Sequence, residues 1–166
     1  MNSKKLFHFT NTQNLRRIIG DNLLRKEGHN FEQIIRHIDM GNVSADKVVH
    51  SSGQDIRIIW RAMNKQYRLI GRYVWLTEEN DARCVTAQRN FEKVAIVFDI
   101  RRIEAKRWVD VIAIKSERSK KAKKLIKHLN EIAIRSGDDI TKWWVVDKDM
   151  PLKYCEGVIV PNKLAA

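Results

Sequence analysis

Several separate stretches of this chain are short and apolar, or alternate between hydrophobic and polar positions, which is typical of β-strands. Leu6, Phe7 and Phe9 make the first stretch apolar, and residues 93–100, rich in Val, Ile and Phe, form the clearest one. Residues 108–114 alternate in the same way. The predicted strands are 5–10, 72–77, 93–100, 108–114, 143–146 and 154–160.

Other stretches repeat apolar residues three and four positions apart, which is the spacing of one helix face. Leu15, Ile18 and Ile19 follow Asn11 and Thr12, and either of these polar residues can cap a helix. The other predicted helices run from Asn30 to a stop at Gly41, from 56 to 67, and from Ser116, a candidate N-cap, to Ser136 before Gly137. Scattered strands with helices concentrated early in the chain predict a mixed α+β fold.

Length and composition narrow the class of protein. With 166 residues the default is a single domain over 1–166 that has its own core. No apolar run is long enough to cross a bilayer, and no apolar signal region follows the N-terminus. Cys84 and Cys155 fit no disulfide or metal-ligand spacing. We therefore expect a soluble protein of a reducing cytoplasm that has no membrane partner.

The charge is strongly positive, with 32 Lys+Arg against 20 Asp+Glu and a net charge of +12. Much of it crowds the start and outer face of the predicted helix 116–136, where cations oppose the helix macrodipole. This placement indicates a surface for DNA or RNA, and the alternative is a solvated lysine face. The residues concerned are Arg118, Lys120, Lys121, Lys123, Lys124 and Lys127.

Three segments carry candidate chemistry. His8 and Thr10 share one face of the first strand, so an imidazole and a hydroxyl could bind one ligand together. Tyr73 shares a strand face with Thr77, and its ring could stack on a flat ligand. Glu156 stands in an apolar strand, where a carboxylate is costly to bury without a partner. The ordinary alternatives are a core histidine, strand packing and a glutamate that faces water.

Taken together, the order and flanks of these segments resemble the His, Tyr and Glu motifs of the ADP-ribosyltransferase fold. The resemblance is to its diphtheria-toxin-like branch, which includes poly-ADP-ribose polymerases and tRNA 2′-phosphotransferases, and more loosely to DarT-type toxins. It covers the two ends of the chain and one central strand. The matching segments are 6–24, with His8, Thr10 and Asn14-Leu15, then 71–82, with Gly71, Tyr73 and a helix containing Ala82, and 152–160, with Glu156.

The resemblance implies a split, mainly antiparallel sheet with flanking helices around a cleft for NAD, which is consumed as a co-substrate without a metal. His8 would hold the nicotinamide ribose, and Thr10 and Thr77 would help to bind the cofactor. Tyr73 would stack on the nicotinamide, and Glu156 would stabilise the ribosyl cation and activate the acceptor. Phe9 departs from the glycine that often follows the histidine in the family.

We therefore predict an NAD-dependent mono-ADP-ribosyltransferase. Its positive charge favours a nucleic-acid acceptor, DNA or RNA, while a protein acceptor stays open. By analogy alone, a small solitary transferase suits a toxin or a phage–host conflict factor. Two alternatives are a non-catalytic nucleic-acid-binding protein and a basic ribonuclease-type toxin that uses His8 or another histidine as a general acid–base.

Overall fold

A six-stranded sheet forms the centre of the computed structural model, which describes residues 3–48, 50, 53–80 and 94–160. The strands in the described part of the chain are β1 (Lys5–Thr10), β2 (Leu23–Leu24), β3 (Val74–Thr77), β4 (Val94–Asp99), β5 (Lys106–Arg107), β6 (Trp143–Val146), β7 (Met150–Pro151) and β8 (Cys155–Ile159). The large sheet has the order β5-β6-β3-β1-β4-β8, and β2 pairs with β7 in a second, two-stranded sheet. Every neighbouring pair in the described residues is antiparallel.

Helices pack against this sheet, and their described bounds are α1 (Thr12–Asp21), α2 (His29–Asp39), α3 (Ile56–Ile70), α4 (Trp108–Arg118) and α5 (Lys120–Arg135). The predicted α+β class with a mainly antiparallel sheet is confirmed. None of the described helices is both long and apolar enough to cross a membrane. The single domain over 1–166 stays a prediction, and Ala82 lies outside the described residues.

The two faces of the sheet bury different cores, because side chains alternate along each strand. Leu6, Ile96 and Phe98 form one core together with Ile18 of α1. The other face buries Tyr73 together with residues of β6 and of three helices in a separate cluster, whose buried members are Ile70, Tyr73, Trp108, Ala122, Ile126 and Val145. The face of a strand residue therefore decides which set of helices it meets.

The sheet opens between β1 and β3. These two strands share a single register pair, Phe7 with Thr77, whereas β1 pairs with β4 at six consecutive positions. Beyond Phe7 the two strands separate, and the backbone of β3 on that edge is left for other partners. The candidate site lies at this opening.

The prediction of a strand over 108–114 is wrong, because these residues begin α4. Trp108 is buried, and Val111 and Ile112 pack against the same core cluster. Trp108, Val111 and Ile112 are three and four positions apart, which fits one face of a helix, while the alternation in 108–114 fits a strand equally well. The tertiary contacts of Trp108 decide between the two.

The predicted helix over 116–136 is two helices. Ser119 is extended, with φ −148° and ψ 121°, and it separates α4 from α5. Its hydroxyl accepts a hydrogen bond from the N–H of Ala122 over 3.1 Å, so Ser119 rather than Ser116 is the N-cap of α5. The buried residues of α5 are Ala122, Ile126 and Ala133, and they form the side of the helix that faces the core.

Candidate active site

A cavity of about 430 Å³ opens where β1 and β3 separate. His8 and Thr10 of β1 line it, together with Trp75 of β3 and residues of α1, α3 and the segment between β2 and α2. We call it the His8 cavity. It brings together polar side chains from distant parts of the chain.

His8 is held by the backbone of β3. Its Nδ1 donates a hydrogen bond to the carbonyl of Trp75 over 2.9 Å. Burial lowers the pKa of His8, and this hydrogen bond opposes the shift only in part. The ring is therefore neutral at pH 7, and because Nδ1 carries the proton, Nε2 is a hydrogen-bond acceptor. Such an atom can accept a hydrogen bond from a ligand hydroxyl in the cavity.

Glu27 binds the backbone at the same open edge as His8, in and next to β3. Its N–H donates to the carbonyl of Tyr73 over 3.1 Å, two residues before the carbonyl that His8 binds. Groups two residues apart along an extended chain are spaced by roughly 7 Å. His8 and Glu27 are thus anchored side by side on the edge that β1 leaves open, and both line the His8 cavity.

The carboxylate of Glu27 is held by hydrogen bonds although it is largely buried. The indole Nε1 of Trp75 donates to its Oε2 over 3.0 Å, and the amide of Tyr73 donates to it as well. Burial raises the pKa of Glu27 to about 7, and it outweighs these two hydrogen bonds and the charge of Arg72. A carboxyl group poised near neutral pH in a cavity is typical of a functional site.

Basic side chains add positive charge to the cavity. Arg17, Arg25 and Lys26 line it, and Nε of Arg25 is buried with no hydrogen-bond partner in the described part of the chain. The nearest acid to Arg25 is Asp21, at 3.7 Å. Guanidinium groups with unused donors suit phosphate oxygens.

Arg72 has a structural task instead. Its Nε donates to the carbonyl of Glu27 over 2.9 Å, and its Nη1 donates to Glu32 of α2 over 3.2 Å. Its guanidinium also lies 5.5 Å from the ring centre of Tyr67. Arg72 therefore fixes the segment that carries Glu27 rather than standing free for a ligand.

A second cavity, of about 370 Å³, shares Glu27 and Trp75 with the first. Thr77, Trp143 and Asn130 contribute to its lining, together with apolar residues of the second half of α5. We call it the Trp143 cavity. Glu27 and Trp75 form the wall between the two.

The site residues predicted in segments 6–24 and 71–82 do not all line the same cavity. Thr10 lines the His8 cavity, as its shared face with His8 predicted. Tyr73 is only 6% exposed, and its ring packs edge-on against Trp75 and Trp108 while its hydroxyl donates to the carbonyl of Ile70. It reaches the edge of the cavity without an open ring face for stacking.

Thr77 belongs to the other cavity. It is buried, its hydroxyl accepts a hydrogen bond from the N–H of Glu79, and it lines the Trp143 cavity rather than the His8 cavity. Thr77 therefore does not share a cavity with His8 and Thr10. The reason is strand alternation, since Thr77 pairs directly with Phe7 and so shares the face opposite His8.

The expected meeting of Glu156 with His8 is wrong. The carboxylate of Glu156 binds Nζ of Lys5 at 2.6 Å, and Lys5 lies three residues before His8 on β1, so the two face opposite sides of the sheet. A bulge is the cause. Phe98 pairs with Cys155 but its neighbour Val97 pairs with Gly157, which leaves Glu156 as the extra residue in β8.

The predicted nucleic-acid-binding residues do form one exposed set. The side chains of Arg118 at the end of α4 and of the lysines at the start of α5 are exposed. We call the lysines Lys120, Lys121, Lys123, Lys124 and Lys127 the lysine face. No acidic residue lies in the first turn of α5 to offset them.

Glu27 and Arg25 were not among the site residues predicted from the sequence. Both lie in a short polar segment after β2, where the local pattern shows only a glutamate before a glycine. Gly28 has a φ of +83°, and this left-handed conformation turns the chain directly after Glu27. Glu27 has no motif that would reveal its role, because its partners Arg72 and Trp75 lie more than forty positions away.

Comparisons of this chain with protein-family models, with curated proteins and with solved structures each find no match.

Proposed function

We propose that the protein is an NAD-dependent mono-ADP-ribosyltransferase that binds NAD in the His8 cavity and transfers ADP-ribose to a nucleic-acid acceptor. The observation that carries the proposal is the fixed tautomer of His8. Its Nδ1 is bound to the Trp75 carbonyl, so Nε2 is the atom left to accept a hydrogen bond from a ribose hydroxyl.

The rest of the cavity supports this ligand. Thr10 stands two residues from His8 on the same strand face, as in the motif that suggested the family. Arg17, Arg25 and Lys26 supply positive charge for a pyrophosphate. The lysine face supports a nucleic-acid acceptor, since exposed cations bind phosphate backbones with the release of counterions.

The test is binding and turnover of NAD by wild-type protein and by His8→Asn. Asparagine keeps an N–H close to the position of Nδ1, so it can still bind the Trp75 carbonyl, but it has nothing in place of Nε2. We expect the dissociation constant of NAD to rise about tenfold, which is the effect of one lost hydrogen bond. Nicotinamide release with labelled NAD, in mixtures with single-stranded DNA, double-stranded DNA or RNA, then identifies the acceptor.

The matched control is His37→Asn, because His37 is an exposed residue of α2 that is not part of the cavity lining. It should bind NAD as wild type does. The proposal fails if wild-type protein neither binds NAD nor releases nicotinamide with any of the acceptors.

The exposed lysine face favours a second candidate, a non-catalytic nucleic-acid-binding protein. This candidate predicts salt-dependent binding of nucleic acid without any effect of NAD. One observation supports the alternative of a ribonuclease-type toxin, because His29 lines the same cavity as His8. Cleavage of RNA without NAD, lost in both His8→Asn and His29→Asn, would favour that alternative.

A further inference from the structure

We propose that Glu27 is the catalytic carboxylate of the His8 cavity and takes the role that the sequence suggested for Glu156. This inference rests on the proposed ADP-ribosyl transfer. It concerns a residue outside the three segments that resemble the family. Four features of the structure carry it.

The first is position. Among the described residues that line the His8 cavity, the carboxylates are Asp21 and Glu27. The side chain of Asp21 is 52% exposed and lies beside Arg25. Glu27 is largely buried and anchored next to His8 on the open edge of β3. It is therefore the carboxylate that can act out of bulk water.

The second is orientation. Trp75 donates an indole hydrogen bond to Oε2 of Glu27, the Tyr73 amide donates as well, and Arg72 holds the backbone carbonyl of Glu27. These contacts hold the carboxylate before a ligand arrives. Preorganised groups of this kind lower a reaction barrier because they need not reorient when charge develops.

The third is the location of Glu27 in the wall between the two cavities. A transferase holds the donor and the acceptor on opposite sides of the atom at which one bond breaks and the new bond forms. NAD in the His8 cavity and an acceptor that enters through the Trp143 cavity would meet at this wall. The second half of α5 lines the Trp143 cavity and its first half carries the lysine face, so one helix links the two surfaces.

The fourth is protonation. Arg72, Tyr67 and Tyr73 interact electrostatically with Glu27, and His8 and His29 line the same cavity. Burial raises the pKa of Tyr73 to about 12. Burial raises the pKa of Tyr67 to about 12, and the pKa values of His8 and His29 are both lowered, chiefly by burial. Arg72 stays charged. Glu27 is then the group in this set that changes its charge as the pH passes through 7.

The reaction balances with these groups. The bond between the ribose C1′ and the nicotinamide nitrogen breaks, and its electron pair leaves with the nicotinamide. The ionised carboxylate of Glu27 stabilises the positive charge that develops on the ribose. A hydroxyl or ring nitrogen of the acceptor forms the new bond to C1′ and gives its proton to Glu27. The products are ADP-ribosylated acceptor, nicotinamide and one proton.

The test compares Glu27→Gln with Glu156→Gln. Glutamine keeps an oxygen that can accept from Trp75 but has no negative charge. We expect Glu27→Gln to bind NAD within about threefold of wild type and to lose nicotinamide release by roughly 10²–10³-fold. Glu156→Gln removes the ion pair with Lys5 on the other face of the sheet, away from the His8 cavity, so its turnover should match wild type.

Two further variants separate catalysis from structure. Glu27→Asp keeps the charge but moves it by one methylene, and we expect partial activity even if Glu27→Gln folds poorly. Trp75→Phe removes the indole donor that lowers the pKa of Glu27, so the midpoint of the rising pH–rate profile should move upward. In wild type this profile should rise through a pH of about 7, which Glu27→Gln should not show.

The outcomes are distinguishable. If wild-type protein neither binds nor turns over NAD, the proposed function fails and the role of Glu27 fails with it. If wild type turns over NAD and Glu27→Gln does so within threefold of it, the proposed function survives and the assignment of Glu27 is overturned. A hundredfold loss in Glu156→Gln with full activity in Glu27→Gln would return the role to Glu156.

Discussion

Nδ1 of His8 donates a hydrogen bond to the backbone carbonyl of Trp75 over 2.9 Å, at the point where β1 and β3 separate. A side chain thus replaces a backbone donor on the open edge of β3. The contact satisfies a carbonyl that a neighbouring strand would otherwise pair, and it sets the tautomer of the ring. One hydrogen bond therefore serves both the fold and the candidate chemistry.

Two replacements of His8 should show how much its hydrogen bond to Trp75 contributes to the stability of the fold. We expect His8→Leu to lower the free energy of unfolding by about 1–3 kcal/mol, because the Trp75 carbonyl loses its donor inside the protein. His8→Asn should cost less than His8→Leu because its side-chain N–H can replace that donor. Urea denaturation followed by circular dichroism measures both. Equal losses in the two variants would show that the hydrogen bond to Trp75 adds little.

Glu27 should make the protein more stable in mild acid. Its pKa in the folded protein is about 7 against 4.5 for the free side chain, so the folded state binds more protons than the unfolded state between these values. The contribution of Glu27 to stability is present in full below pH 4.5 and is lost as the pH rises through 7. The loss amounts to roughly 3 kcal/mol.

The variant Glu27→Gln should lack this pH dependence. We expect it to be more stable than wild type at pH 8 and close to wild type at pH 4.5. Thermal and urea denaturation at both pH values give the comparison. A wild-type advantage at pH 8 would contradict the raised pKa of Glu27 and the burial that causes it.

Gly28 should be essential for the position of Glu27. It has a φ of +83°, and a Cβ at this residue would lie 2.8 Å from the ring of Tyr67. We expect Gly28→Ala to cost about 1–2 kcal/mol for the left-handed backbone alone, and more for the contact with Tyr67. Gly20→Ala is the control, because this helical position has open space and alanine favours helices. Denaturation should show a loss for the first and a gain of up to about 1 kcal/mol for the second.

The lysine face should determine the affinity for nucleic acid. We expect the double variant Lys120→Gln and Lys121→Gln to weaken binding of single-stranded DNA and to flatten its salt dependence. The slope of log affinity against log salt should fall by roughly 0.7 for each phosphate contact that is lost. The control is the double variant Lys47→Gln and Lys65→Gln, which removes two exposed charges elsewhere. Equal effects of the two double variants would indicate attraction by net charge alone.

Ser119 should be the residue that starts α5. Ser119→Ala removes the hydroxyl that accepts from the Ala122 amide, and it should cost about 1 kcal/mol. Ser116→Ala is the matched control, because Ser116 lies inside α4, where alanine is a favourable residue. A larger loss for Ser116→Ala than for Ser119→Ala in urea denaturation would support a single helix over 116–136 instead.

The local sequence pattern was enough to predict many of the strands and helices. The apolar residues of 5–10 predicted β1, and the geometry of a strand predicted the shared face of His8 and Thr10. The helical spacing that follows predicted α1, and Asn11 is its cap because its side chain accepts from the Asn14 amide. These features depend on neighbours in the chain. Where the same residues satisfy two periodicities, as in 108–114, the pattern could not decide, and the burial of Trp108 among α3, α5 and β6 did.

By itself, the sequence determined the α+β class, the basic start of α5 and the placement of His8 beside Thr10, because each depends on composition or short-range spacing. The tertiary structure alone decided which carboxylate joins them. A single extra residue in β8 turns Glu156 towards Lys5, and a left-handed glycine and the opened edge of β3 place Glu27 next to His8. Strand register and sheet splitting are long-range properties, and one residue of register reverses the face that a side chain occupies.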